Sequence, residues 1–123
     1  LVNRMRTFIF TTALPPLNVA WTKFILSRLG GWNDRRERLA EAAIRVQAAV
    51  RGAGRECPSS SHIVPFIVGE SNQTILKAED MQRKGFYVLP VRPPTVPEGT
   101  SRLRISLTAA VTEEEVDSLC REL

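Results

Sequence analysis

The sequence predicts an α+β domain in which helices pack on one face of a small, mainly antiparallel sheet. Three observations predict it. Residues 102–107 alternate strictly: Leu103, Ile105 and Leu107 fall on one side, Arg102, Arg104 and Ser106 on the other. That is the signature of a half-buried strand. Two earlier stretches instead repeat apolar residues at helical spacing: Leu17, Ala20, Trp21, Phe24 and Ile25, then Leu39, Ala42, Ala43, Val46, Ala49 and Val50. Finally, Thr112 with Glu115 forms a capping box at the start of a last helix. Val111 and Val116 stand where a hydrophobic staple needs them.

The elements follow in order. Phe8 to Phe10 is a short apolar burst, read as a strand, and Pro15-Pro16 marks a turn after it. Proline suits a first helical turn, where its missing N–H would be unpaired anyway. The first helix therefore starts there, and Gly30-Gly31 stops it. Asn33 or Asp34 caps a second helix, whose outer faces carry Arg35, Arg36, Glu37, Arg38, Glu41 and Arg45. Gly52 and Gly54 end it, and Cys57 to Ser61 reads as a loop. His62 to Val68 is a nearly continuous apolar run, the pattern of a buried strand. Pro65 inside it points to an edge or a bulge. A third helix spans Asn72 to Lys84, with Gly85 as its stop. Phe86 to Val91 is a further strand. Pro93 to Gly99 holds three prolines and must be a stiff loop.

Length and composition narrow the classes. The chain has 123 residues, 43% hydrophobic and 24% charged, as expected of one ordinary globular domain. No apolar run approaches the roughly 20 residues of a membrane helix, so no membrane span is expected. The net charge is +4, and only Lys23, Lys77 and Lys84 among the 17 cations are lysine. An arginine excess suits planar anions such as carboxylates and phosphates. A charge of +4 spread along the chain is a weak nucleic-acid signal, and no aromatic residue interleaves Arg102 to Leu107 as an RNA-binding strand would require. Cys57 and Cys120 are read as free thiols in a reducing compartment. Neither belongs to a CxxC pair and His62 is the only histidine, which argues against a Cys/His zinc site. No signal peptide opens the chain, and it begins at Leu1 rather than Met. The expectation is a processed or truncated piece of something longer.

Few residues carry chemistry on their own evidence. Arg102 and Arg104 share one strand face after a proline-stiffened loop. A guanidinium there could grip a carboxylate in a bidentate fork, or both could be ordinary solvent-facing arginines. Thr95, between Pro94 and Val96, either presents its hydroxyl to a ligand or is a plain loop residue. Thr11 and Thr12 follow an apolar strand, where backbone and hydroxyl groups can approach a phosphate; ordinary strand-end threonines look the same. His62 reads as structural rather than catalytic. Neither cysteine has the basic neighbours that mark a nucleophile. No metal site and no glycine-rich phosphate loop is present in the sequence.

Two segments say more. VRPPTVPEGTSRLRISLTAA (91–110) resembles the C-terminal signature of the 8-amino-7-oxononanoate synthases, members of the α-oxoamine synthase family of fold type I, pyridoxal-phosphate-dependent enzymes. RTFIFTTALPP (6–16) resembles the segment that follows the lysine region in that family. SHIVPFIVG (61–69) and KGFYV (84–88) fall between them in the family order, so the resemblance covers essentially the whole chain. Related oxoamine synthases (aminoketobutyrate ligase, aminolevulinate synthase, serine palmitoyltransferase) share the RxR strand and the LPP turn but vary the RPPTVP loop.

The resemblance implies a decarboxylative condensation of L-alanine with a pimeloyl thioester, on CoA or a carrier protein. The product would be 8-amino-7-oxononanoate for biotin synthesis, with pyridoxal 5'-phosphate (PLP) as electron sink. It implies that Arg104, the second arginine of RLR, binds the amino-acid carboxylate. Thr95 matches the substrate-contacting threonine. Thr11 or Thr12, with Thr12 preferred, matches the hydroxyls that reach the cofactor phosphate of the neighbouring subunit in a homodimer. A cytoplasmic enzyme without nucleic-acid or membrane partners is implied. The family's Schiff-base lysine lies upstream of the matching region, and Lys23, Lys77 and Lys84 stand in none of the right contexts. The expectation is thus the end of the large PLP-binding domain (1–31) followed by the small C-terminal domain (32–123), inactive alone. Its first ~30 residues should lack packing partners, exposing Phe8, Phe10, Trp21 and Phe24. The competing expectation is a non-catalytic relic or a dimerisation or complementing subunit.

Overall fold

The computed structural model describes Arg4 and residues 14–123. The strand expected over Phe8–Phe10, with Thr11 and Thr12, lies outside the described residues. The chain divides into two compact units, Leu1–Asn33 and Asp34–Leu123.

In the first unit, helix α1 (Pro16–Arg28) takes Pro16 at its first position, where no N–H is needed. A 3₁₀ turn, Leu29–Gly31, carries the two glycines. No residue of α1 is buried. Trp21 is 62% and Phe24 46% exposed, stacked on each other with ring centroids 5.8 Å apart. The Arg28 guanidinium lies 5.1 Å from the Phe24 ring centre.

The second unit holds the core. Helix α2 (Asn33–Gly52) is followed by strand β1 (Ile63–Gly69), helix α3 (Ser71–Arg83), strands β2 (Leu89–Val91) and β3 (Ser101–Ser106), and helix α4 (Glu113–Glu122). The sheet order is β1-β3-β2, with both pairings antiparallel. Both strand prolines, Pro65 and Pro90, therefore sit on edge strands, and the central strand has none. This satisfies the rule that proline cannot donate to a ladder. Val64 pairs with Ile105, and Phe66 and Pro90 flank Leu103 from either side. Val64, Phe66, Leu103, Ile105 and Leu107 are buried with Ala43, Val46 and Val50 of α2, Ala78 and Met81 of α3, and Val116 and Leu119 of α4. The helices thus cover one face of the sheet, as the alternation of β3 requires.

Helix ends obey local chemistry. The Thr112 side chain accepts from the Glu115 N–H at 3.2 Å, and the Glu115 carboxylate accepts from the Thr112 N–H at 2.8 Å, completing the capping box. At the end of α3, the Phe86 N–H reaches the Met81 carbonyl (2.9 Å) and the Gly85 N–H reaches the Gln82 carbonyl (3.0 Å). This is a Schellman closure, and it requires the positive φ of Gly85, +91°. Lys77 Nζ donates to the Glu122 carbonyl (2.9 Å) and Lys84 Nζ to the Glu122 carboxylate (2.6 Å), tying α3 to the last turn of α4. Arg45 and Asp117 pair between α2 and α4.

One expected element is shorter than its sequence pattern. The alternation begins at Phe86, since Phe86 and Val88 turn inward while Tyr87 is 84% exposed. The ladder covers only Leu89–Val91. The preceding residues are held by α3 instead: the Phe86 N–H closes the helix end, and Gln82 Nε2 donates to the Val88 carbonyl at 3.0 Å. Helix α3 also begins one residue earlier than expected, at Ser71.

Candidate functional site

Within the second unit, the helix layer leaves the other face of the sheet uncovered among the described residues. On that face β3 presents Arg102, Arg104 and Ser106. Arg104 stands between Pro65 on β1 and Leu89 on β2, and Arg102 between Ile67 and Val91. Each arginine is therefore flanked by apolar residues on both edge strands, with no carboxylate at the paired positions.

The two arginines behave differently. Arg102 is half-buried and donates through Nε to the Thr100 carbonyl at 3.0 Å. Arg104 is exposed, with no hydrogen-bond or ion-pair partner among the described residues. An unpaired guanidinium on the central strand of a sheet is well placed for a planar anion. Its backbone is fixed by ladder bonds on both sides, and its fork is free to bind in bidentate fashion.

The loop after β2 closes over the same place. The Thr95 N–H donates to the Arg92 carbonyl at 3.0 Å, making a tight turn that contains the cis Pro93–Pro94 bond. Leu89, Pro90, Val91, Arg92, Pro93, Pro94, Thr95 and Arg104 line one open depression. Two of the residues singled out in the sequence, Arg104 and Thr95, thus meet at one site. Among the described residues no acidic side chain lines it, and Arg104 and Arg92 are its charged groups. Sequence reasoning did not single out Leu89, Val91 and Arg92 as its walls. The parity of the alternation from Phe86 already placed Leu89 and Val91 on the outer side. Thr11 and Thr12 lie outside the described residues.

The other candidates stay apart from this site. His62 is exposed at the start of β1, and its backbone carbonyl accepts the Leu107 N–H at 3.0 Å. Cys57 and Cys120 are free thiols. Burial pushes the Cys120 thiol up, against a smaller opposing pull from Arg45, so it is a poor nucleophile. Lys77 and Lys84 are committed to the end of α4. Among the described residues, no cluster of three His, Cys, Asp or Glu could hold a metal ion, and no helix is long and apolar enough to cross a membrane.

The chain is similar over nearly its whole length to known proteins. A protein of Haemophilus influenzae, provisionally named 8-amino-7-oxononanoate synthase, is 50% identical over 116 residues, 94% of this chain and 31% of that protein. The 8-amino-7-oxononanoate synthase of Haemophilus ducreyi is 48% identical over 120 residues, 97% of this chain and 31% of that protein. A serine palmitoyltransferase structure with the PLP internal aldimine superposes with a TM-score of 0.85 at 27% identity, covering 98% of this chain and 31% of that one. The chain therefore spans less than a third of the length of each of these three proteins. The family model for aminotransferase class I and II matches residues 1–123. With sequence and fold agreeing over the same span, the chain belongs to the aminotransferase class I and II family.

Proposed function

We propose that this chain is the carboxyl-terminal part of a PLP-dependent acyltransferase. The complete enzyme condenses L-alanine with a pimeloyl thioester, with loss of CO₂, to give 8-amino-7-oxononanoate for biotin synthesis. In this reading residues 1–31 end the large cofactor-binding domain and residues 32–123 form the small C-terminal domain. The complete enzyme is a cytoplasmic homodimer, and the chain alone is inactive because the Schiff-base lysine lies in the part that precedes it.

The observation that carries the reading is Arg104, an unpartnered guanidinium on the central strand beside Thr95, in a depression with no acid. It supports a site for the α-carboxylate of an amino acid. Arg104 binds that carboxylate in a fork and fixes the orientation of the α-carbon substituents. Thr95 adds a hydroxyl on the loop side. Pro65 and Leu89 flank it on the two edge strands and bring no competing charge. The described residues fit a substrate carboxylate placed against a cofactor held elsewhere. Thr12 and Thr11, the residues assigned to the cofactor phosphate, lie outside the described set. When bound, PLP supplies the electron sink for bond cleavage at the amino-acid α-carbon.

The test is alanine binding by the complete, PLP-loaded enzyme carrying Arg104→Lys or Arg104→Met, followed through the cofactor absorbance. A charged bidentate contact contributes about 1.5–3 kcal/mol, so both variants should bind alanine roughly 10- to 100-fold more weakly. An unchanged alanine affinity overturns the assignment of Arg104. Turnover of alanine and pimeloyl thioester by residues 1–123 alone overturns the assignment of the lysine.

A further inference from the structure

The two arginines of β3 share a face but not a task. Arg104 is free. Arg102 turns back along its own strand and donates from Nε to the Thr100 carbonyl, two residues earlier, at 3.0 Å. Thr100 is itself doubly bonded. Its N–H (3.2 Å) and its Oγ1 hydroxyl (2.7 Å) both donate to the Pro97 carbonyl. A continuous chain of hydrogen bonds thus runs from the rigid central strand into the loop that carries Thr95.

That loop needs an outside anchor. Pro93, Pro94 and Pro97 have no N–H, so the segment cannot brace itself with a ladder. Its own bonds close two small turns, Arg92 to Thr95 and Pro97 to Thr100. Only the second is fastened to the strand through Arg102. The neighbouring anchors all act at the same end. Ser101 is fully buried, with its hydroxyl 3.1 Å from that of Ser71. Gly69, at φ +103° beside the irregularity in β1, lets the Gly99 carbonyl approach to 3.5 Å of where a Cβ would stand. Arg102 is the one side chain of the bare sheet face bonded into this loop among the described residues.

We propose that Arg102 is a positioning residue: it straps the 92–100 loop to β3 so that Thr95 stays over Arg104, and it does not itself bind the substrate carboxylate. The inference rests on the reading of Arg104 and Thr95 as the carboxylate site. It assigns the two arginines of one motif opposite duties. A planar guanidinium can place Nε–H on a backbone carbonyl while its stem lies between Ile67 and Val91; a lysine ammonium cannot reproduce that geometry.

The test is a set of variants of the complete enzyme, read in two ways. Amide hydrogen exchange on the cofactor-free protein comes first. Arg102→Met should speed exchange across residues 95–100 by about tenfold, while α2, α3 and α4 keep their protection. Alanine affinity of the PLP-loaded protein comes second. Arg102→Met should weaken it roughly five- to twentyfold with kcat changed far less, and in a Thr95→Ala background the same change should cost less than about twofold. Arg102→Lys keeps the charge and should restore neither readout. Full rescue by lysine, or an undiminished effect of Arg102→Met in the Thr95→Ala background, would show that Arg102 meets the substrate directly and overturns the proposal. Unchanged exchange in the loop also overturns it. If Arg104→Met and Thr95→Ala leave alanine affinity intact, the site reading itself fails, an outcome distinct from failure of the strap.

Discussion

Leu103 and Arg104 are adjacent on the central strand, and replacing each with alanine should give opposite results. Leu103 is fully buried, flanked by Phe66 and Pro90. Leu103→Ala removes three carbons, a loss of about 2.4 kcal/mol at roughly 0.8 kcal/mol per buried methylene. The site is closed by two strands and the helix layer and cannot collapse freely, so the residual cavity should raise the cost to about 3–5 kcal/mol. For a domain of this size that lowers Tm by roughly 12–25 °C or more. Arg104 is exposed and unpartnered, so Arg104→Ala should stay within about 0.5 kcal/mol. The assay is urea unfolding of the chain followed by far-UV circular dichroism, with midpoints compared at constant slope. If Arg104→Ala destabilised as much as Leu103→Ala, the sheet would be packed on both faces and the bare-face site would not exist. A cost below about 1 kcal/mol for Leu103→Ala would mean that the strand is not central to the core.

Two further outcomes follow from helix ends. Thr112→Ala removes the side-chain half of the capping box and should cost about 1 kcal/mol in the same unfolding assay; a double variant with Glu115→Ala should cost less than the sum of the two single changes, because the bonds are reciprocal. The Lys84 ammonium is held above its ordinary value of 10.5, first by the Glu122 carboxylate and then by Asp80. The Asp80 carboxyl is held below its ordinary 3.8, chiefly by Lys84. The lysine contribution is therefore complete below the unfolded lysine pKa and lost as pH rises through the folded one. The aspartate contribution is present above 3.8 and lost as pH falls through the folded value. Lys84→Met should flatten the alkaline arm of the stability profile. The effect should be small and shrink with salt, since both groups are exposed. An alkaline arm identical in the two proteins would refute the pairing.

Much of the fold was legible in the sequence because its signals are local. The strict alternation at 102–107, the capping box at Thr112 and the glycine stop at Gly85 each depend on residues within one turn or strand. Each holds in the structure. Pro65 was also informative, since a proline inside an apolar run points to an edge or a bulge, and β1 is an edge strand with an irregularity between Ile67 and Gly69. What the sequence overstated was β2. Its alternation runs from Phe86, but pairing is decided by what competes for the backbone, and Gln82 and the end of α3 take residues 86–88 first. The depression was legible in part. Alternation places Arg102 and Arg104 on one face. Only the fold returns the 92–95 turn over that face, because β2 and β3 are antiparallel neighbours. The split between a bonded and a free arginine was not legible at all: it depends on a side chain turning toward a carbonyl two residues away, and no periodicity encodes that.

The arrangement of β3 has a consequence for how such a site can vary. Odd positions of the strand face the helices and hold the domain together; even positions face outward and cost little to change. Residues on that outer face can therefore be exchanged without disturbing the core, so long as the backbone of β3 stays fixed. That backbone is fixed by neighbours on both sides, whereas the edge strands tolerate proline. The loop is the exception. Its prolines leave it few donors of its own, so the precision of Thr95 is borrowed from the strand. A substitution at 102 should be felt at 95, whereas one at 106, on the same face but unbonded to the loop, should not. The bare sheet face is then not one uniform surface: its loop end is coupled to the site, and its far end is free to change.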